Sequence, residues 1–260
     1  MKAILVIGYG SSLPYASQTL EAQATRLRQL QKTPAYTAYD RVNQPDIPTA
    51  VRHLAADGAE ETAVIPFFIA DGVITREHLP AKLGLPQYGD GTVQVGGRPI
   101  DFRFGRAVGS DPRVAEIMQK RAAEAGATSA SGLLIIGHGS VARENAAVTE
   151  EVAGRLRAAG YSHTEIGYNE YCDPSIEEAL EKLVKAGVPQ ITVLPLFIAS
   201  GLHLKEEIPA KLGLPAGKTH GTVVRNGRAV PLVYAPAIGS DPLLAEIMAD
   251  EAAQLLGRTD

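Results

Sequence analysis

LLIIGHGSVARENAA, residues 133–147, has a near twin at residues 3–17, AILVIGYGSSLPYAS. Each is an apolar run closed by Ile-Gly, one variable residue, then Gly-Ser. A short β-branched run ending at a glycine-flanked turn reads as a buried strand that breaks sharply at its carboxyl end. Two copies in one chain make an internal repeat the first thing to establish, because a missed repeat misassigns the whole fold.

The repeat runs the length of the chain. It carries Gly8, Gly10 and Ser11 onto Gly137, Gly139 and Ser140, Tyr39 onto Tyr168, Pro45 onto Pro174, and Gly58 onto Gly187. Pro66, Ile69 and Ala70 recur as Pro195, Ile198 and Ala199, and PAKLGLP occurs from Pro80 and again from Pro209. After a one-residue insertion GSDP at Gly109 returns at Gly239, with AEIM following both times. Within each half, short β-branched runs alternate with longer amphipathic segments. The runs fall near residues 3–7, 36–40, 63–69 and 100–104, then 133–136, 165–169, 191–198 and 230–234. Helices between apolar strands predict parallel sheets covered on both faces. The fold class expected is therefore α/β, two similar doubly wound parallel-sheet domains spanning residues 1–127 and 132–260. TSASG at 128–132 is the joint, since small polar residues there interrupt both patterns.

Composition narrows the function. Apolar residues make up 45% and charged residues 21%, and the net charge is −4. A phosphate-tracking surface carries an excess of Lys and Arg, so no nucleic-acid partner is expected. No apolar run approaches bilayer length, so no membrane partner is expected either. The opening MKAILVIG is too short for a signal-peptide core and reads as a first strand. The single cysteine, Cys172, has no internal partner and reads as a small buried thiol in a reducing, cytoplasmic setting.

Ligands of open parallel sheets collect beyond the carboxyl ends of the strands, so the residues just after each strand carry the functional information. The repeat is its own control: agreement between halves is explained by shared fold, whereas a chemically specific difference asks for a function. His138 stands where the first half has Tyr9, Glu170 where it has Arg41, and His203 where it has Ile74. Taken singly, His138 reads as a turn residue, Glu170 as a solvated strand end and His203 as a helix-surface residue. Taken together, two imidazoles and a carboxylate at three corresponding strand ends suit a borderline divalent ion with coordination positions to spare. Glu207 lies one helical turn beyond His203, where it would orient that imidazole or act as a spare ligand. A short helix capped by Ser200 and ended by Pro209 is expected around His203. The Gly-Ser turns invite a phosphate at a helix N-terminus, yet neither half has a Walker lysine pattern or a full G-x-G-x-x-G.

IGHGS, the NEY at residues 169–171 and PLFIASGLHLKEEIP at 195–209 together resemble the class II chelatases, most closely the sirohydrochlorin cobaltochelatases and ferrochelatases in their fused two-domain form. The resemblance covers essentially the whole chain. It implies two doubly wound domains with a cleft between them, and insertion of Co²⁺ or Fe²⁺ into sirohydrochlorin in cobalamin or siroheme biosynthesis. The metal would be a substrate, with no tightly bound cofactor, and the tetrapyrrole the partner. By the family pattern His138 and His203 would handle the metal and accept protons, with Glu170 as acidic partner; the three are the expected catalytic and metal residues. An imidazole, whose ordinary pKa is near 6.5, can do either job at cellular pH. The first half has lost all three, so one site per chain is expected. An approximate two-fold relation of the halves would set Arg41 opposite Glu170, where a guanidinium suits a carboxylate arm of the substrate. Arg76 and Lys205, basic at equivalent positions, join Arg143, Ser140 and Tyr9 as further expected substrate contacts. Because the repeat is fused, a monomer is expected. The competing readings are a non-catalytic metal or tetrapyrrole carrier and a phosphate-ester-binding α/β enzyme.

Overall fold

The computed structural model describes residues 1–87, 89–140, 144–215 and 217–257. The first repeat contains β1 (Lys2–Gly8), α1 (Pro14–Leu30), β2 (Ala35–Tyr39), α2 (Ile47–Ala56), β3 (Glu61–Pro66), α3 (Leu79–Leu83), β4 (Gly91–Val95), β5 (Arg98–Phe104) and α4 (Val114–Glu124). The second contains β6 (Gly132–Gly137), α5 (Glu144–Ala158), β7 (Thr164–Tyr168), α6 (Ile176–Lys185), β8 (Ile191–Pro195), α7 (Ile208–Leu212), β9 (His220–Arg225), β10 (Arg228–Tyr234) and α8 (Leu243–Leu256).

Each repeat builds a five-stranded sheet, ordered β2-β1-β3-β5-β4 in the first and β7-β6-β8-β10-β9 in the second. The central strands are buried end to end: every residue from Ala3 to Gly8 and from Gly132 to Gly137 is shielded from water. This is why they read as continuous apolar runs instead of alternating ones. Strand order reverses beside β1 and beside β6, and at such a switch point the chain leaves a crevice beyond the carboxyl ends of the strands. The residues that follow β6, β7 and β8 are therefore the ones positioned for chemistry.

The two α/β domains are as expected, with one correction: the sheets are mixed, not wholly parallel. β4 pairs antiparallel with β5, with Val93 opposite Ile100, and β9 pairs antiparallel with β10, with Val223 opposite Val230. Both are half-exposed edge strands joined to their neighbours by two-residue turns. Gly96-Gly97 and Asn226-Gly227 all have φ between 51° and 81°, the conformation such hairpins require.

The compact units also divide the chain differently from the repeat boundary at 127/132. Unit 1 comprises Met1–Asp111 with Ser240–Asp260, and unit 2 comprises Pro112–Gly239. The AEIM helices are thus exchanged. Helix α8, from the end of the second repeat, packs on α1 and β3 of unit 1, while α4 packs on α5 and β8 of unit 2. The buried faces are interchangeable, Val114, Ile117 and Met118 in α4 against Leu244, Ile247 and Met248 in α8. Among the described residues no helix is long and apolar enough to cross a membrane.

The capping of equivalent helices follows the sequence closely. Asp46 accepts from the Thr49 N–H at 2.9 Å to start α2. Its counterpart Ser175 starts α6 with a full capping box, its hydroxyl accepting from Glu178 N–H while the Glu178 carboxylate accepts from Ser175 N–H.

Candidate metal centre

The site in unit 2 begins with a backbone constraint. Beyond the sheet, Asn169 N–H donates to Gly137 O and Glu170 N–H to His138 O, each at 3.0 Å, which holds the chain ends of β6 and β7 together. Gly139, with φ +84°, makes the approach possible: a Cβ there would lie 1.8 Å from the Glu170 carbonyl oxygen. Only glycine fits, because the backbone is left-handed and the neighbouring carbonyl occupies the space a side chain would need. The sharp turn leaves His138 half-buried against Phe197, with ring centroids 5.9 Å apart.

His203 arrives from the third strand end on a helix that differs from the expected one. Ser200 is not its cap and Pro209 does not end it. A π-helical turn, His203–Glu207, is entered from Leu202 and runs directly into α7, and Pro209 sits in the first turn of that helix. Proline has no N–H for the Lys205 carbonyl and its ring crowds that carbonyl. The wider π turn, closed by Ile208 N–H donating to His203 O, accommodates the ring without a break. The helix stops instead at Gly213, which is left-handed. Unit 1 has the same π turn at Ile74–His78, so it belongs to the fold, and unit 2 has placed a histidine on it.

The three expected residues come together, with one change in their grouping. Ligand atoms of Glu170, His203 and Glu207 all lie within 4.8 Å of one another, and because Glu207 Oε2 is taken up by His203 Nδ1, Glu207 stands in the cluster as the partner of that imidazole. His138 stands beside that group instead of in it, its ring meeting the His203 ring edge-on with centroids 5.1 Å apart at 89°. Hydrogen bonds fix both imidazoles. His138 Nδ1 lies 3.0 Å from the Gly139 carbonyl, which can only accept, so that nitrogen is the donor and in the neutral imidazole the lone pair is on Nε2. His203 Nδ1 lies 2.6 Å from Glu207 Oε2, and the same reasoning leaves Nε2 of His203 as its electron-pair donor. The His203 hydrogen bond holds the Glu207 carboxyl below its ordinary value of 4.5, outweighing the opposing desolvation, with smaller help from Asn169 and Lys211.

The other expected residues fall in both units. Ser140 donates to Glu144 Oε2 at 3.1 Å, and its carbonyl accepts from the half-buried Cys172 thiol at 3.3 Å. Cys172 is thus less enclosed than expected. Lys205 is exposed on the π turn of unit 2, and Arg76 is exposed at the equivalent place in unit 1. Also in unit 1, the Arg41 guanidinium lies 5.2 Å above the ring of Tyr9, which meets Phe68 edge-on. Arg143 lies outside the described residues.

Sequence reasoning passed over two features. Asn169, buried beside the site, points its amide at His203 and Glu207 while accepting from Lys211 at 3.0 Å. Its signal was a further difference between repeats, Asn169 for Asp40. Exposed apolar residues also flank the donors: Tyr171, with φ 60° and 70% exposed, follows Glu170, and Leu202 precedes His203. Their counterparts Val42 and Val73 are exposed too, and Val42 has φ 62°, a rare conformation for a β-branched residue.

Fold and site together define a protein of two α/β repeats, with a histidine–carboxylate cluster at the strand ends of one sheet and none of its residues at the matching positions of the other. The chain belongs to the CbiX family, whose model matches it twice, over residues 3–125 and 132–255. The sirohydrochlorin cobaltochelatase of Methanopyrus kandleri is 33% identical over 138 residues, aligning 96% of its own length with 48% of this chain, about one repeat. A probable sirohydrochlorin cobaltochelatase of Halobacterium salinarum is 25% identical over 279 residues, covering 97% of this chain and 91% of its own. The structure of SirB from Bacillus subtilis with Fe³⁺ matches over 100% of this chain and 98% of its own, with a TM-score of 0.79 and 19% identity, which establishes likeness of fold.

Proposed function

We propose that this protein is a metal chelatase that inserts a divalent ion into sirohydrochlorin, and that the ion is Co²⁺. The observation that carries the reading is the cluster of Glu170, His203 and Glu207 with His138 at its edge, in a chain of the CbiX family. The names of its relatives favour cobalt over iron.

Insertion exchanges two pyrrole N–H protons for one M²⁺, so the site must strip water from the ion and take up protons. Glu170 and the Nε2 of His203 hold the ion with positions left for macrocycle nitrogens, the geometry a borderline ion accepts. His138, outside the tight donor group, is the base that receives one pyrrole proton at Nε2, and the second proton passes to solvent. Tyr171 and Leu202, each exposed and next in sequence to a donor, offer apolar surface suited to the face of a flat ring. Lys205, exposed on the π turn, and Ser140, just beyond β6, enter as carboxylate-binding or polar contacts of the substrate.

The test mixes purified protein with sirohydrochlorin and Co²⁺ or Fe²⁺ in separate reactions and follows the absorbance change against the uncatalysed rate. Multiple turnovers with Co²⁺, lost in His203→Ala at unchanged fold, are expected. A single equivalent of product would favour a carrier. Full activity in His203→Ala would reject the site.

A further inference from the structure

Four residues at the metal centre, three of which differ in chemistry between the repeats, form one connected chain. In unit 2, Lys211 Nζ donates to Asn169 O at 2.7 Å and to Asn169 Oδ1 at 3.0 Å. Lysine has donors only, so Oδ1 is fixed on the lysine side and the Asn169 Nδ2 must face the other way. There it lies 3.5 Å from Glu207 Oε2, the oxygen that accepts from His203 Nδ1 at 2.6 Å. Nδ2 is also 3.3 Å from His203 Nδ1, but a carboxylate at 2.6 Å requires the proton on that nitrogen, leaving the Asn169 donor for Glu207.

Unit 1 carries the same frame with the chemistry removed. Lys82 donates to Asp40 O at 2.8 Å and reaches Asp40 Oδ1 at 2.6 Å, just as Lys211 reaches Asn169. Position 74 there is Ile in place of His203, and position 78 is His in place of Glu207. Where no carboxylate needs holding, the residue on the lysine is Asp; where Glu207 must be held, it is Asn. The pair differ in charge and in donor capacity: the amide can accept from lysine and donate to a carboxylate at once, whereas aspartate, which in unit 1 pairs with both Lys82 and Arg41, can only accept.

We infer that Asn169 is a positioning residue: anchored by Lys211, it holds Glu207 against His203 Nδ1 and so aims the His203 Nε2 lone pair at the metal. This rests on the chelatase reading for the identity of the reaction, but not for the metal-binding measurement. Partners of a ligating histidine typically change metal affinity or activity by about 10–100-fold when lost.

The test uses the whole chain and Co²⁺ alone. Asn169→Asp, which gives unit 2 the residue of unit 1, places two carboxylates side by side and is expected to weaken Co²⁺ binding by about tenfold or more. In the same variant kcat falls while the KM for sirohydrochlorin stays within about twofold. Adding Glu207→Gln restores a donor facing the introduced carboxylate while keeping an oxygen for His203 N–H, and the double variant is expected to regain most of the Co²⁺ affinity. Asn169→Ala loses the donor without adding charge, is expected to lose about threefold, and is not rescued by Glu207→Gln; it also serves if Asn169→Asp does not fold. Co²⁺ affinity in the variants within twofold of wild type, or equal losses in Asn169→Asp with and without Glu207→Gln, would overturn the inference. Failure of the wild type to metallate sirohydrochlorin would instead reject the reaction, leaving the Co²⁺ ratios to judge Asn169.

Discussion

Alanine at Gly139 and alanine at Gly10 inflict the same lesion on the two units, and only one of them carries the histidine–carboxylate cluster. Both glycines are left-handed, φ +84° and +85°, and a Cβ would lie 1.8 Å from the Glu170 oxygen or 1.9 Å from the Arg41 oxygen. Each substitution therefore costs about 1–2 kcal/mol for the backbone conformation alone. Contact must also open to at least the 3.0 Å that real Cβ atoms keep, so the carbonyl of Glu170 moves by about 1.2 Å relative to His138 in Gly139→Ala. A misplacement of about 1 Å in a catalytic constellation costs on the order of 100-fold. The assays are chemical denaturation, Co²⁺ titration and steady-state metallation of sirohydrochlorin, on both variants in parallel. Similar losses of stability are expected, with Co²⁺ affinity and turnover collapsing in Gly139→Ala and Co²⁺ affinity preserved in Gly10→Ala. The reasoning is refuted if Gly139→Ala binds Co²⁺ like the wild type, or if Gly10→Ala loses as much of it.

Ser175→Ala breaks the capping box of α6 and is expected to lower stability by about 1 kcal/mol in chemical denaturation, with no change in Co²⁺ binding. Because the Glu207 carboxyl is held below 4.5 in the folded protein, its contribution to stability is present above that pH and is lost as pH falls through the lowered value. Carbon NMR of the Glu207 carboxyl should show titration below 4.5 in the metal-free protein and a return toward 4.5 in His203→Ala; titration at or above 4.5 in the wild type contradicts the hydrogen bond.

The central strands were legible because β1 and β6 are buried along both faces and closed by glycine turns that admit no other residue. The edge strands were not read, although Gly96-Gly97 and Asn226-Gly227 are strong hairpin signals; GTVQV and HGTVVR are too short and too exposed for their apolar pattern to stand out. The exchange of α4 and α8 was beyond reach for a different reason. Each helix presents the same apolar face, and the two sheets offer equivalent surfaces, so nothing in the residues says which sheet a helix covers. At the site, the histidines and Glu170 stood out because Tyr, Arg and Ile are poor substitutes for metal ligands. Asn169 did not, because Asp for Asn looks conservative until the lysine beside it fixes which way the amide must face. The helix around His203 was misjudged at Pro209, where a widened turn absorbs the ring that an α-helical turn would have rejected.

Anomalous scattering from crystals soaked in Co²⁺ addresses the metal site most directly. The account predicts one ion at the strand ends of unit 2, bonded to His203 Nε2 at roughly 2.1 Å and to a Glu170 oxygen, and no ion at the matching positions of unit 1. An ion held in unit 1, or a Co²⁺-saturated protein in which His203 and Glu170 are left uncoordinated, would contradict it.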